Sequence, residues 1–187
     1  MATGETKILF TGPTGAGKTT AIRALSQVGS FADSQFGEGG EAPPPPFDYG
    51  EYWESGTPVR MYGAPEQKRF DFMWKVLADE AMGLVVLLDH HRPDPAADAL
   101  RYVQSFDGLA RRGACVVGVG RFDGARAPGL RAISSRLETA GYRVPVLEID
   151  VRRKADMQLL MQTLVSMGRR EVPAIGMTPA VTPLLSN

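Results

Sequence analysis

The residues best suited to chemistry lie near the start of the chain, in the run Gly12-Pro13-Thr14-Gly15-Ala16-Gly17-Lys18-Thr19 followed by Thr20. Glycines at its first, fourth and sixth places let the backbone curl so that successive N–H groups point inward, a cradle for anionic oxygens. A helix opening at Lys18 adds the partial positive charge of its N-terminus to that cradle. The Lys18 ammonium is expected to reach the outer phosphates of a nucleoside triphosphate, and the Thr19 hydroxyl to ligate Mg²⁺. Gly12, Thr14, Gly15, Ala16, Gly17, Lys18, Thr19 and Thr20 are thus the expected phosphate-binding residues, with Thr19 also the metal ligand. The pattern carries meaning between a strand and a helix, and that is its setting here: Lys7-Ile8-Leu9-Phe10 precedes it and an amphipathic stretch follows.

Other candidate groups are more ambiguous. Asp89 ends the apolar run Leu84 to Leu88 and reads either as the holder of a Mg²⁺-bound water or as the cap of the loop Asp89-His90-His91-Arg92. The two histidines lack convergent partners at ligand spacing, so a solvated loop is expected rather than a metal site. Cys115 is the single cysteine and cannot form an intramolecular disulfide. Its apolar neighbours Ala114, Val116 and Val117 predict a small buried hydrophobe rather than a reactive thiol.

The elements that must position these groups alternate, short β-rich runs with amphipathic stretches, as in a parallel sheet covered by helices. Lys7–Phe10 is the first expected strand, and Lys18 to Val28 the first helix, with Ile22, Leu25 and Val28 on one face. Phe47 to Glu54 and Pro58 to Tyr62 read as strands joined by Ser55-Gly56; so short a turn makes the pair antiparallel. An apolar helix is expected over Gln67 to Ala81, then buried strands over Leu84–Leu88 and Ala114–Val119. Asp94 and Pro95 announce a helix start. Leu130, Ile133, Leu137 and Ala140 mark another helix, stopped by Gly141. Val144 to Ile149 is the last expected strand, followed by a helix that turns Met157, Leu160, Met161 and Leu164 to the core. Ser30 to Pro46 is Gly-, acid- and Pro-rich and reads as an exposed loop. One domain is expected over residues 5–168, with a loose tail over 169–187.

Basic and acidic residues balance at 21 each, so no net field draws the chain to nucleic acid or an anionic membrane. No apolar run is long enough for a transmembrane segment, and the first residues lack the features of a signal peptide, so a cytoplasmic protein is expected.

The order of elements and the motif spacing resemble the Ras-like small GTPases, and most closely their bacterial branch of gliding-motility (MglA-type) and conservon-encoded G proteins. The resemblance covers about residues 5 to 168. Its carriers are the phosphate loop, Phe47-Asp48-Tyr49-Gly50, and the stretch from Tyr62-Gly63-Ala64-Pro65-Glu66-Gln67 through Trp74, which lies where switch II belongs. It implies a three-layer P-loop NTPase domain of small-GTPase type: a six-stranded, mostly parallel sheet with one antiparallel edge strand and helices on both faces. It also implies GTP or GDP with Mg²⁺ as ligands, Gln67 as the residue that orients the attacking water, and Asp123 as the reader of guanine. Without the family, Gln67 is an exposed glutamine at a helix start and Asp123-Gly124 a turn. By position, Asp150, Val151 and Arg152 would pack against the base.

Several departures touch hydrolysis. The place of the switch I threonine is taken by Ala42-Pro43-Pro44-Pro45-Pro46, the aspartate that opens switch II by Gly63, its glycine by Glu66, and the asparagine of the base motif by Gly120. Arg69 reads either as an internal arginine finger or as a surface residue. The expectation is a GTP-binding regulatory switch whose intrinsic hydrolysis is weak or absent. The alternative is a pseudo-GTPase interaction scaffold that has lost hydrolysis, with triphosphate binding either kept or lost as well. The resemblance implies a regulatory partner of the Roadblock/LC7 type; no oligomeric state is specified by these features.

Overall fold

Runs that are apolar at every position end up in the middle of the sheet, where both faces are covered. The computed structural model describes residues 6–27, 48–54, 56–64, 78–121 and 128–168. Its elements are β1 (Thr6–Thr11), α1 (Lys18–Leu25), β2 (Asp48–Glu54), β3 (Thr57–Gly63), β4 (Gly83–Asp89), α2 (Pro95–Ser105) and α3 (Asp107–Arg111). There follow β5 (Cys115–Gly120), α4 (Pro128–Thr139), β6 (Val146–Glu148) and α5 (Lys154–Gly168). The strands form one six-stranded sheet in the order β2-β3-β1-β4-β5-β6. All neighbours are parallel except β2 and β3, so the antiparallel strand is an edge. This is the expected three-layer, P-loop-type α/β architecture.

Strand alternation divides the core in two. Leu84, Val86 and Leu88 of β4 face α2, α3 and α4, where they meet Val103, Leu109, Ile133 and Leu137. Val85 and Leu87 face α1 and α5, where they meet Ile22, Leu25, Met157, Leu160 and Leu164. Burying one such side chain contributes roughly 1.5–3 kcal/mol. The layers therefore rest on packing rather than on the exposed ion pairs at their rims, each of which is worth under about 1 kcal/mol.

Local signals set most ends. Asp94 accepts a hydrogen bond from the Ala97 amide at 2.8 Å and Pro95 opens α2, as expected. Gly141, at φ 84°, ends the α4 segment, and the Tyr142 amide returns to the Leu137 carbonyl at 2.9 Å. Most strand ends differ from expectation by one residue, and two boundaries differ for an identifiable reason. α1 stops at Leu25 because Ser26 turns extended and the chain is taken up by β2: the Gln27 amide and the Ser26 hydroxyl both bond the Glu51 carbonyl, at 2.9 and 3.2 Å. Val28 lies outside the described residues. The last strand is Val146–Glu148 rather than Val144–Ile149; at its start Pro145 has no N–H to extend the ladder, while beyond its end the Ile149 amide still bonds the Val119 carbonyl at 3.0 Å. α3 was not expected from the sequence. Residues 78–80 are helical and Ala81 already lies beyond the helix end; residues 67–77 of that expected helix, the loop Ser30 to Pro46 and the tail 169–187 lie outside the described residues. No described helix is long and apolar enough to cross a membrane.

Candidate functional site

β1 sits between β3 and β4, so the connections leaving its neighbourhood diverge, and a crevice opens at the carboxyl ends of β1, β4, β5 and β6. The resulting cleft of about 1210 Å³ is lined by the phosphate loop, by the end of β4, and by the loops after β5 and β6.

The loop from Gly12 to Gly17 owes its shape to its glycines. Gly12, Gly15 and Gly17 have φ of 138°, 84° and 91°. Gly12 also lies against β4 so closely that a Cβ there would stand 2.0 Å from the Leu87 carbonyl oxygen. Gly17 caps α1 without a side chain, and the first turn, Lys18-Thr19-Thr20, contains no acid. The positive helix end thus faces the cleft without a carboxylate beside it in that turn. Lys18 folds back over the loop, its Nζ donating to the carbonyls of Gly12 at 2.7 Å and Pro13 at 3.0 Å. Thr19 Oγ1 donates to Asp48 Oδ2, at the start of β2, at 2.6 Å.

The far wall is tied to the same loop. Arg121, just beyond β5, has φ 65°, the only positive value for a non-glycine among the described residues. Such a conformation costs about 1–3 kcal/mol and is typical of residues held at a site. Its guanidinium donates to Asp89 Oδ2 at 2.9 Å and to the Gly15 carbonyl at 3.2 Å. After β6, Arg152 grips the Asp150 carboxylate through Nε and Nη2, at 2.9 and 2.7 Å. This pair, with the Arg152 amide, lowers the Asp150 carboxyl to about 2. Val151 packs on the loop; a Cβ on Gly17 would stand 2.8 Å from its Cγ2.

Of the residues picked out by sequence, Thr14, Gly15, Ala16, Gly17, Lys18, Thr19 and Thr20 share this cleft with Asp150, Val151 and Arg152. Gly12 lies beneath it, against β4. Gln67, Asp123, Glu66 and Arg69 fall outside the described residues. Asp89 makes the contact of its capping reading, its Oδ1 accepting from the His91 amide at 2.9 Å, while its Oδ2 is engaged by Arg121. Among the described residues, no group of three or more His, Cys, Asp or Glu converges on a metal position. Cys115 is buried, and burial pushes its thiol up to about 12. Sequence reasoning assigned no role to Asp48 or Arg121; the signals were that Asp48 lies in a stretch quoted for the resemblance and that Arg121 lies between Gly120 and Asp123.

No protein-family model matches the chain, and no curated protein matches its sequence.

Proposed function

We propose that the chain binds a guanine nucleotide with Mg²⁺ in this cleft and acts as a cytoplasmic regulatory switch whose own GTP hydrolysis is weak or absent. The observation that carries the reading is the phosphate loop: inward-curling glycines, an acid-free helix start and an ammonium already held at the loop mouth converge on one cleft. The loop amides and Lys18 would bind the phosphates, and Thr19, a hard oxygen donor on the first turn of α1, suits Mg²⁺. Mg²⁺ would there offset charge on the phosphate oxygens. Arg121 ties the loop after β5 to the phosphate loop, and Asp150 to Arg152 form the wall on which a base would rest. The choice of guanine rests on Asp123 in the sequence Gly120-Arg121-Phe122-Asp123, and weak hydrolysis on Glu66 and the Pro43–Pro46 run. The regulatory partner proposed is of the Roadblock/LC7 type, on the resemblance alone.

Isothermal titration with GTP, GDP, ATP and ADP in the presence of Mg²⁺ tests this reading. GTP and GDP should bind more tightly than their adenine counterparts. Lys18→Ala should weaken triphosphate binding by about 10²-fold or more, since charge-assisted bonds are worth roughly 1.5–3 kcal/mol each, with circular dichroism unchanged. Equal adenine binding would remove the base assignment. A protein that binds none of the four would instead be the scaffold.

A further inference from the structure

We propose that Asp48 supplies, together with Thr19, the protein arm of the Mg²⁺ site, a role fixed by the way two glycines seat β2 against its neighbours. The inference rests on reading the cleft as a nucleotide site.

The pair meets from two elements that are distant in sequence. Thr19 Oγ1 and Asp48 Oδ2 stand 2.6 Å apart beside the phosphate loop. Mg²⁺ takes oxygens at 2.0–2.1 Å in octahedral geometry, which puts adjacent ligands about 2.9 Å apart. Shifts of a few tenths of an ångström would therefore open the pair to the ion. One hydroxyl and one carboxylate, completed by phosphate oxygens and waters, is the donor set that Mg²⁺ ordinarily accepts.

The position of the carboxylate is specified from both sides. On the α1 side, Gly50 lets β2 close onto the helix: a Cβ there would stand 2.7 Å from Ile22 Cγ2 and 3.2 Å from Ser26 Oγ. The Glu51 carbonyl is then pinned by Gln27 and Ser26. On the other side, Asp48 pairs in register with Gly63 of β3. A Cβ on Gly63 would lie 2.9 Å from Asp48 Cβ and 3.2 Å from its Oδ2, so the Asp48 side chain occupies the space that a side chain at 63 would need. A purely structural clamp between β2 and α1 needs only a hydrogen-bond acceptor at position 48. A metal arm needs the negative charge. Asparagine separates the two, because it keeps the acceptor and the shape and loses the charge.

The test is Mn²⁺ binding to the GDP-loaded full chain, followed by the room-temperature paramagnetic resonance signal of free Mn²⁺, in the native protein, Asp48→Asn, Gly63→Ala and Thr19→Ala. GDP affinity in EDTA should stay within a few-fold of native in Asp48→Asn, while its Mn²⁺ affinity falls about 10–100-fold, as for loss of groups that hold or orient a metal. Gly63→Ala, which displaces the carboxylate without removing it, should also weaken Mn²⁺, and carries the test alone if Asp48→Asn does not fold. Native Mn²⁺ affinity in Asp48→Asn or in Gly63→Ala, beside a loss in Thr19→Ala, overturns the proposal and leaves the nucleotide reading intact. Failure of the native protein to bind GDP, with or without Mn²⁺, overturns both.

Discussion

Glycines of the phosphate loop that look alike in the motif are required for different reasons. At Gly12 the obstacle is a main-chain oxygen, Leu87 O, 2.0 Å from where a Cβ would stand, on a central strand that cannot move aside. At Gly15 nothing lies within 4 Å, and the only demand is a φ of 84°. Gly12→Ala should therefore cost more than about 3 kcal/mol, with loss of a cooperative urea transition at moderate temperature. Gly15→Ala should cost about 1–2 kcal/mol, the ordinary left-handed penalty. Urea melts of the two variants check the ranking; equal midpoints would mean that β4 does not hold the loop. The motif announces a phosphate cradle but not this difference, because the partner oxygen lies far away in the chain. Arg121 makes the same point. Its neighbours stand where the resemblance implies a base-reading loop, yet its reach to Gly15 depends on how β5 is placed beside β4.

Among elements, α1, β2 and β3 pack as one unit beside the phosphate loop. Gly50→Ala pushes a methyl group into Ile22 near its branch point rather than at a flexible tip. It should destabilise the fold by about 1–3 kcal/mol, read by thermal or urea unfolding; a neutral result would show that β2 can withdraw from α1 at no cost. Element types were largely legible in the sequence. Continuous apolar runs gave β4 and β5, the two-residue turn gave the antiparallel β2–β3 pair, and Asp94-Pro95 and Gly141 marked helix ends through local chemistry. What escaped was set by distance or by brevity. α3, Asp107–Arg111, is too short to show a helical period. The end of α1 is fixed by Glu51 of β2, and the last strand is trimmed at its start by the missing N–H of Pro145. The site was half legible: the phosphate loop from its own spacing, but the Thr19–Asp48 pair only from the fold, since it spans 29 positions.

At the scale of the whole molecule, two apolar layers share one sheet, and neither contains a charged group from the cleft. Cys115 lies at the start of β5, fully covered between β4 and the α2–α4 layer, with burial pushing its thiol up to about 12. At neutral pH the thiolate, the form that reacts, is rare in the folded chain, and a reagent has no path to it until the layers part. The sole cysteine is thus a clock for opening of the domain, started by adding a thiol-reactive chromophore and needing no mutation. A ligand held only by the folded form slows such a clock by one plus the ratio of its concentration to the dissociation constant: at about a hundred times that constant, the opened population falls about 100-fold. Labelling of Cys115 should slow by that factor with GDP and Mg²⁺ at about a hundred times the dissociation constant, and by less with ADP at the same concentration. A rate unmoved by any nucleotide would contradict the proposed ligand. The buried thiol therefore lets the core report on the cleft, converting a question about binding into the timing of a single covalent event.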